Sequence, residues 1–158
     1  MRRRTGKLSL AQQALDLRLR FPNGKVHLAA AQLVWTGTIE PTPLSRGYRV
    51  QVTCRTDRVP QVRVLDALEG RPGESLPHVY REGTLCLHLP GEWAPDMFIV
   101  DSTLAWTAEW LFNYEVWRAT GKWHGDGEWP PTRRPETAPQ VTIADEAKSP
   151  RGSLSERR

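Results

Sequence analysis

The chain of 158 residues has little cysteine: Cys54 and Cys86 only, with none of the paired spacings of a zinc finger and no CxxC motif. That excludes a disulfide scaffold and a paired-cysteine zinc site, and it fits two free thiols in a reducing compartment. No segment approaches the roughly 20 consecutive apolar residues that cross a bilayer, and no signal-type apolar run opens the sequence. A cytoplasmic protein with no membrane partner is the expectation. A GxxxxGK phosphate loop, a helix-turn-helix pattern and internal repeats are also absent.

The formal net charge of +4 is not carried by the middle of the chain. Residues 1–7 contribute +4 through Arg2, Arg3, Arg4 and Lys7, and residues 130–158 add +2. Residues 8–129 carry twelve basic against fourteen acidic side chains. A folded part that is not basic has no electrostatic footprint for nucleic acid, so direct nucleic-acid binding is not expected. With 39% hydrophobic and 25% charged residues, the length suits one domain with a true core. The division expected is a disordered basic arm at 1–7, a domain at 8–129, and a largely disordered tail at 130–158, where Pro, Ser and charge replace periodicity.

What is present reads as α+β. Residues 8–21 place Leu8, Ala11, Leu15, Arg18 and Leu19 at spacings of three and four, with Ser9 as cap and Pro22-Asn23-Gly24 as stop. This predicts an N-terminal helix with those residues on one face. Strands are predicted over 26–39, 47–54 and 62–65, separated by a loop at 40–46 and a turn at 69–74. In the second strand Tyr48, Val50, Val52 and Cys54 share one side, which makes Cys54 a core residue. Residues 101–120 predict the long helix, capped by Asp101 or Ser102 and ended by Gly121. Its Trp106, Trp110, Asn113 and Trp117 form one stripe, with Leu104, Ala108, Leu111 and Tyr114 or Glu115 beside it.

Cys86 lies instead in LPHVYREGTLCLHLPGEW, residues 76–93, a stretch interrupted by proline and glycine between two apolar runs. A thiolate attacks carbonyls and leaves again, so a cysteine held in such a loop can carry an acyl group as a thioester. If 84–89 is extended, Cys86 and His88 point the same way. Three readings follow from the residues: a Cys-His pair, a fragment of a metal site with His78, or a buried strand cysteine.

The order Pro77, Tyr80, Gly83, Cys86, Leu87, then Trp93-Ala94-Pro95 and a helix, resembles the active-site region of ubiquitin-conjugating enzymes. The upstream helix, the strand containing Trp35, the strand at 47–54 and Pro60 with 62–65 resemble that family's meander. The likeness spans residues 8–120. Closer still, TLCLHLPGEW joined to the helix and to GKWHGDGEWP is similar to the small stand-alone bacterial proteins of this fold in short type II CBASS antiphage operons. The resemblance implies an N-terminal helix, an antiparallel meander of about four strands, an active-site loop and a long central helix.

It also implies a cysteine acyltransferase with Cys86 as nucleophile. The acyl donor would be the C-terminal tail of a cGAS-like nucleotidyltransferase, moved onto an amine to prime cyclic-nucleotide signalling. The family's His-Pro-Asn positions are occupied by Leu76, Pro77 and His78. His78 therefore stands where the asparagine would organise the loop and assist the oxyanion, and the imidazole can take over either part, act as base, or simply hold the loop. Pro77, Tyr80, His88 and Trp93 are the expected supporting residues. Asp101 and Ser102, with Thr103, are expected to face the cysteine and orient the amine, or in the case of Asp101 to cap the helix. The aromatic segment 123–129 is expected either to dock the partner or to cover an exposed edge. No ATP loop is present, so activation must come from a separate activating enzyme or be bypassed. No cofactor or metal is called for. The competing reading is a non-catalytic scaffold that binds and stabilises the nucleotidyltransferase. Redox or peptidase chemistry has neither a CxxC motif nor a Cys-His-Asn order to support it.

Overall fold

A computed structural model describes residues 6–125. The order of elements is α1 (Leu10–Arg20), β1 (Lys25–Leu28), β2 (Gln32–Ile39), β3 (Tyr48–Arg55), β4 (Gln61–Val64), a π-helical turn (Val100–Leu104) and α2 (Ala105–Thr120). The four strands form one antiparallel sheet in the order β1-β2-β3-β4. The expected α+β class and four-stranded meander are found. No helix among the described residues is long and apolar enough to cross a membrane.

Helix α1 starts at the expected cap. Ser9 is extended and its Oγ accepts from Gln12 N–H, while the Gln12 side chain accepts from Ser9 N–H at 2.9 Å, a reciprocal capping box. The inward face is not the stripe that contains Leu15 and Leu19. Gln13, Ala14 and Leu17 are buried, whereas Leu15 and Leu19 are 58% and 72% exposed. A polar residue decides the helix rotation: Gln13 Nε2 donates to the Met97 carbonyl and Gln13 Oε1 accepts from Ile99 N–H, both at 2.9 Å. Two buried hydrogen bonds outweigh a leucine stripe that periodicity alone favours, because leaving those groups unpaired costs about 1–3 kcal/mol each.

The strand expected over 26–39 is a hairpin, with Lys25 facing Thr36 and Leu28 facing Leu33. Its connection is Ala29-Ala30-Ala31, which carries none of the Gly, Pro, Asn or Asp that announce a turn. Strand β3 alternates as expected, burying Tyr48, Val50, Val52 and Cys54. Trp35 from β2 is fully buried and meets Phe21 edge-on at 5.6 Å. A Cβ on either Gly24 or Gly37 would collide with its indole, so the large side chain of Trp35 depends on two neighbours that have none.

Helix α2 is not capped by Asp101 or Ser102. Asp101 pairs with Arg20 at 2.6 Å, and Ser102 Oγ donates to the Phe98 carbonyl at 2.7 Å. The backbone is already helical at Ile99, and the π-helical turn uses Leu104 N–H to the Ile99 carbonyl at 2.8 Å. With these first N–H groups taken by carbonyls, a side-chain cap has nothing to do. The far end is as expected: Gly121, at φ 76°, donates to the Trp117 carbonyl. Arg71 adds a cation there, donating to the Arg118 carbonyl at 2.8 Å. Trp110, Leu111, Tyr114 and Trp117 of α2 join Leu33, Trp35, Val50, Val52 and Val62 of the sheet in one core.

Candidate functional site

After β4 the chain forms a tight loop hairpin. Val79 pairs with Leu85, Tyr80 N–H donates to the Thr84 carbonyl at 2.8 Å, and Gly83 turns the chain at φ 84°. Leu85 N–H donates to the Val62 carbonyl at 2.9 Å, tying the hairpin to the sheet, and Cys86 N–H donates to the His78 carbonyl at 2.8 Å. Cys86 is thus fixed by backbone bonds rather than by a regular strand. It is half-buried, and its sulfur stands free of any disulfide.

His78 has φ 51°, in the left-handed region where Asn, Asp and His are the side chains that sit most readily after glycine. It is 4% exposed, and its ring stacks on Trp123 with centroids 5.0 Å apart. Trp123 in turn meets Trp110 at 5.7 Å, and Trp110 stacks on Tyr114 at 5.6 Å. Of the two expectations for the aromatic segment, the part at Trp123 covers the loop and α2. Residues 126–129 of that segment lie outside the described residues, as do residues 1–5 of the arm expected at 1–7 and the tail at 130–158, while Lys7 of that arm pairs with Asp57 at 3.1 Å.

Tyr80 faces the sulfur from the other side. Hydrogen bonding with Cys86 and, after it, burial push the tyrosine pKa up to about 12. The phenol therefore keeps its proton and acts as a donor toward the sulfur.

Between the hairpin and α2 runs a groove of about 200 Å³. Cys86, His78 and His88 line it together, with Leu87 and Leu89, the carboxylate-bearing Glu92 and Glu109, and the indoles of Trp106, Trp110 and Trp123. The 88–92 loop closes on itself: Glu92 accepts Leu89 N–H at 2.6 Å, and His88 Nδ1 lies 2.9 Å from the Leu89 carbonyl. His88 packs against Trp106 at 4.9 Å. Pro77 is buried under the hairpin, and Trp93 is half-buried in the segment that leads to α2.

Asp101 and Ser102 do not line the groove. Arg20 holds Asp101 below the usual carboxylate range by a hydrogen bond, and Ser102 is buried against Phe98. Thr103 alone of that trio borders the second cavity, on the Tyr80 side. Glu92, Glu109 and Trp106 are among the groove residues that sequence reasoning missed as site residues. Their only signal was position, within a loop and on the outward first turns of α2.

The described residues thus present one accessible cysteine, Cys86, between a tight hairpin and a long helix. The sequence matches the family profile described as Type II CBASS E2 protein over residues 13–131. The chain belongs to that family, a component of CBASS antiviral defence. No curated protein matches it.

Proposed function

We propose that the chain is a cysteine acyltransferase of ubiquitin-conjugating fold that carries an acyl group as a thioester on Cys86 and passes it to an amine. The donor in this reading is the C-terminal tail of the cGAS-like nucleotidyltransferase of a CBASS system. The observation that carries the reading is the placement of Cys86: pinned by backbone bonds at the mouth of a groove and half-exposed. A cysteine kept for packing alone has no need of such surroundings.

In the transfer, the thiolate of Cys86 attacks an activated carbonyl, and the Tyr80 phenol stands where it can donate to sulfur. The sequence holds no ATP loop, so in this reading activation of the tail carboxylate comes from another protein or is bypassed. His78 positions the loop in this reading: its carbonyl receives Cys86 N–H and its ring is clamped by Trp123. Membership in the family supports the CBASS setting.

The test is non-reducing intact-mass spectrometry of the native chain and of Cys86→Ser, each incubated with the nucleotidyltransferase and lysate of the host. A protein-sized mass increase is expected, released by thiol from the native chain and by mild base from the serine variant. A partner that copurifies without covalent mass would replace this reading with that of a scaffold.

A further inference from the structure

Two histidines line the groove, and they are differently disposed. His78 is buried beneath Trp123, whereas His88 is partly exposed and borders both the groove and the cavity on the Tyr80 side of the sulfur. The Leu89 carbonyl, 2.9 Å from His88 Nδ1, can only accept a hydrogen bond. The neutral ring must therefore carry its proton on Nδ1, which leaves the lone pair on Nε2. Trp106 holds the ring from the side at 4.9 Å, and the Glu92 carboxylate, by accepting Leu89 N–H, steadies the loop that supplies the orienting carbonyl. A histidine with a fixed tautomer and an open second nitrogen has the disposition of a general base.

The charge of the groove indicates what it would receive. Glu92 and Glu109 line it, and among the described residues no lysine or arginine does. Indole faces bound it, and these favour an approaching ammonium. We propose that the groove seats the acceptor amine and that His88 Nε2 takes its proton. The proposal rests on the acyl-carrier reading above and adds to it the acceptor's binding place and its base. The amine reaches the groove as an ammonium and loses one proton to solvent. Its nitrogen then attacks the thioester carbonyl on Cys86. As the C–N bond forms, the second proton passes to His88 Nε2, the C–S bond breaks, and Cys86 leaves as thiolate, to which the imidazolium returns the proton. The titratable groups around His88 are Cys86, His78, Glu92 and Glu109 in the groove, and Tyr80 and Glu82 beyond the sulfur.

The full chain can be loaded without any partner, by exchange with a synthetic glycine thioester of mercaptoethanesulfonate, and then discharged onto free L-lysine or dithiothreitol across a pH series, read by intact mass. His88→Asn and His88→Gln are expected to load fully and to discharge onto dithiothreitol as the native chain does. Discharge onto lysine should be roughly 100-fold slower, and the difference from the native chain should shrink on acidification, where protonation of the amine itself slows both chains alike. A native chain that does not load overturns the acyl-carrier reading and this inference with it. Loading followed by native lysine rates and a native pH profile in either variant overturns this inference alone.

Discussion

Cys54 and Cys86 are 32 positions apart, carry the same side chain and sit in opposite surroundings. Cys54 is the inward residue of β3, 5% exposed, and burial alone pushes its pKa up to about 11. Cys86 ends a loop hairpin, opens onto a groove and is faced by a phenol. A regular ladder with period two delivers a side chain to the core and removes it from solvent. A hairpin of irregular backbone, held by single bonds to His78 and Val62, delivers one to the surface at a fixed point. The difference between an inert and an available thiol is thus set by backbone pattern before any neighbouring charge is considered.

The contrast has its largest expected effect in alkylation. Iodoacetamide should modify Cys86 in the folded chain at least roughly a thousandfold faster than Cys54, whose strand must open first. Peptide mapping of a time course checks this, and similar rates would mean that the core around β3 is not closed.

The next effect appears in alkaline stability. Because the folded-state pKa of Cys54 is raised, from 9.0 to about 11, the unfolded chain releases this proton first as pH rises. Its contribution to stability is fully present below pH 9 and is lost on the way to pH 11. Cys54→Ala should flatten the decline of denaturation midpoint across that window, while Cys86→Ala should leave it as in the native chain.

The smallest expected change sharpens the account of Cys86 itself. Tyr80→Phe removes the donor and keeps the ring, and alkylation of Cys86 near neutral pH should slow by about threefold, the scale of a partly exposed hydrogen bond. An unchanged rate would reduce Tyr80 to packing.

Much of the sheet could be read from the sequence, because Tyr48, Val50, Val52 and Cys54 alternate without interruption and Gly121 ends α2 unmistakably. What escaped was local chemistry with no periodic signature. The Ala29-Ala30-Ala31 turn contains no turn residue, and the burial of Gln13 depends on carbonyl and amide groups 84 and 86 positions away. In the site, Cys86, His78 and His88 were legible from the loop and do line one groove, but Asp101 lies elsewhere because Arg20 claims it. Glu109 and Trp106 could be assigned only once α2 was seen to form the opposite wall.

That wall is fastened at both ends. Gln13 bonds the segment just before α2 through Met97 and Ile99, and Arg20 reaches Asp101 in its first, π-helical turn. At the far end Arg71 holds the Arg118 carbonyl and Glu69 pairs with the Arg118 side chain. A beam pinned at both supports can neither slide nor roll toward the hairpin without breaking several bonds at once. The gap beside Cys86 is accordingly a slot of preset gauge, and under the acyl-carrier proposal its width is set before anything enters.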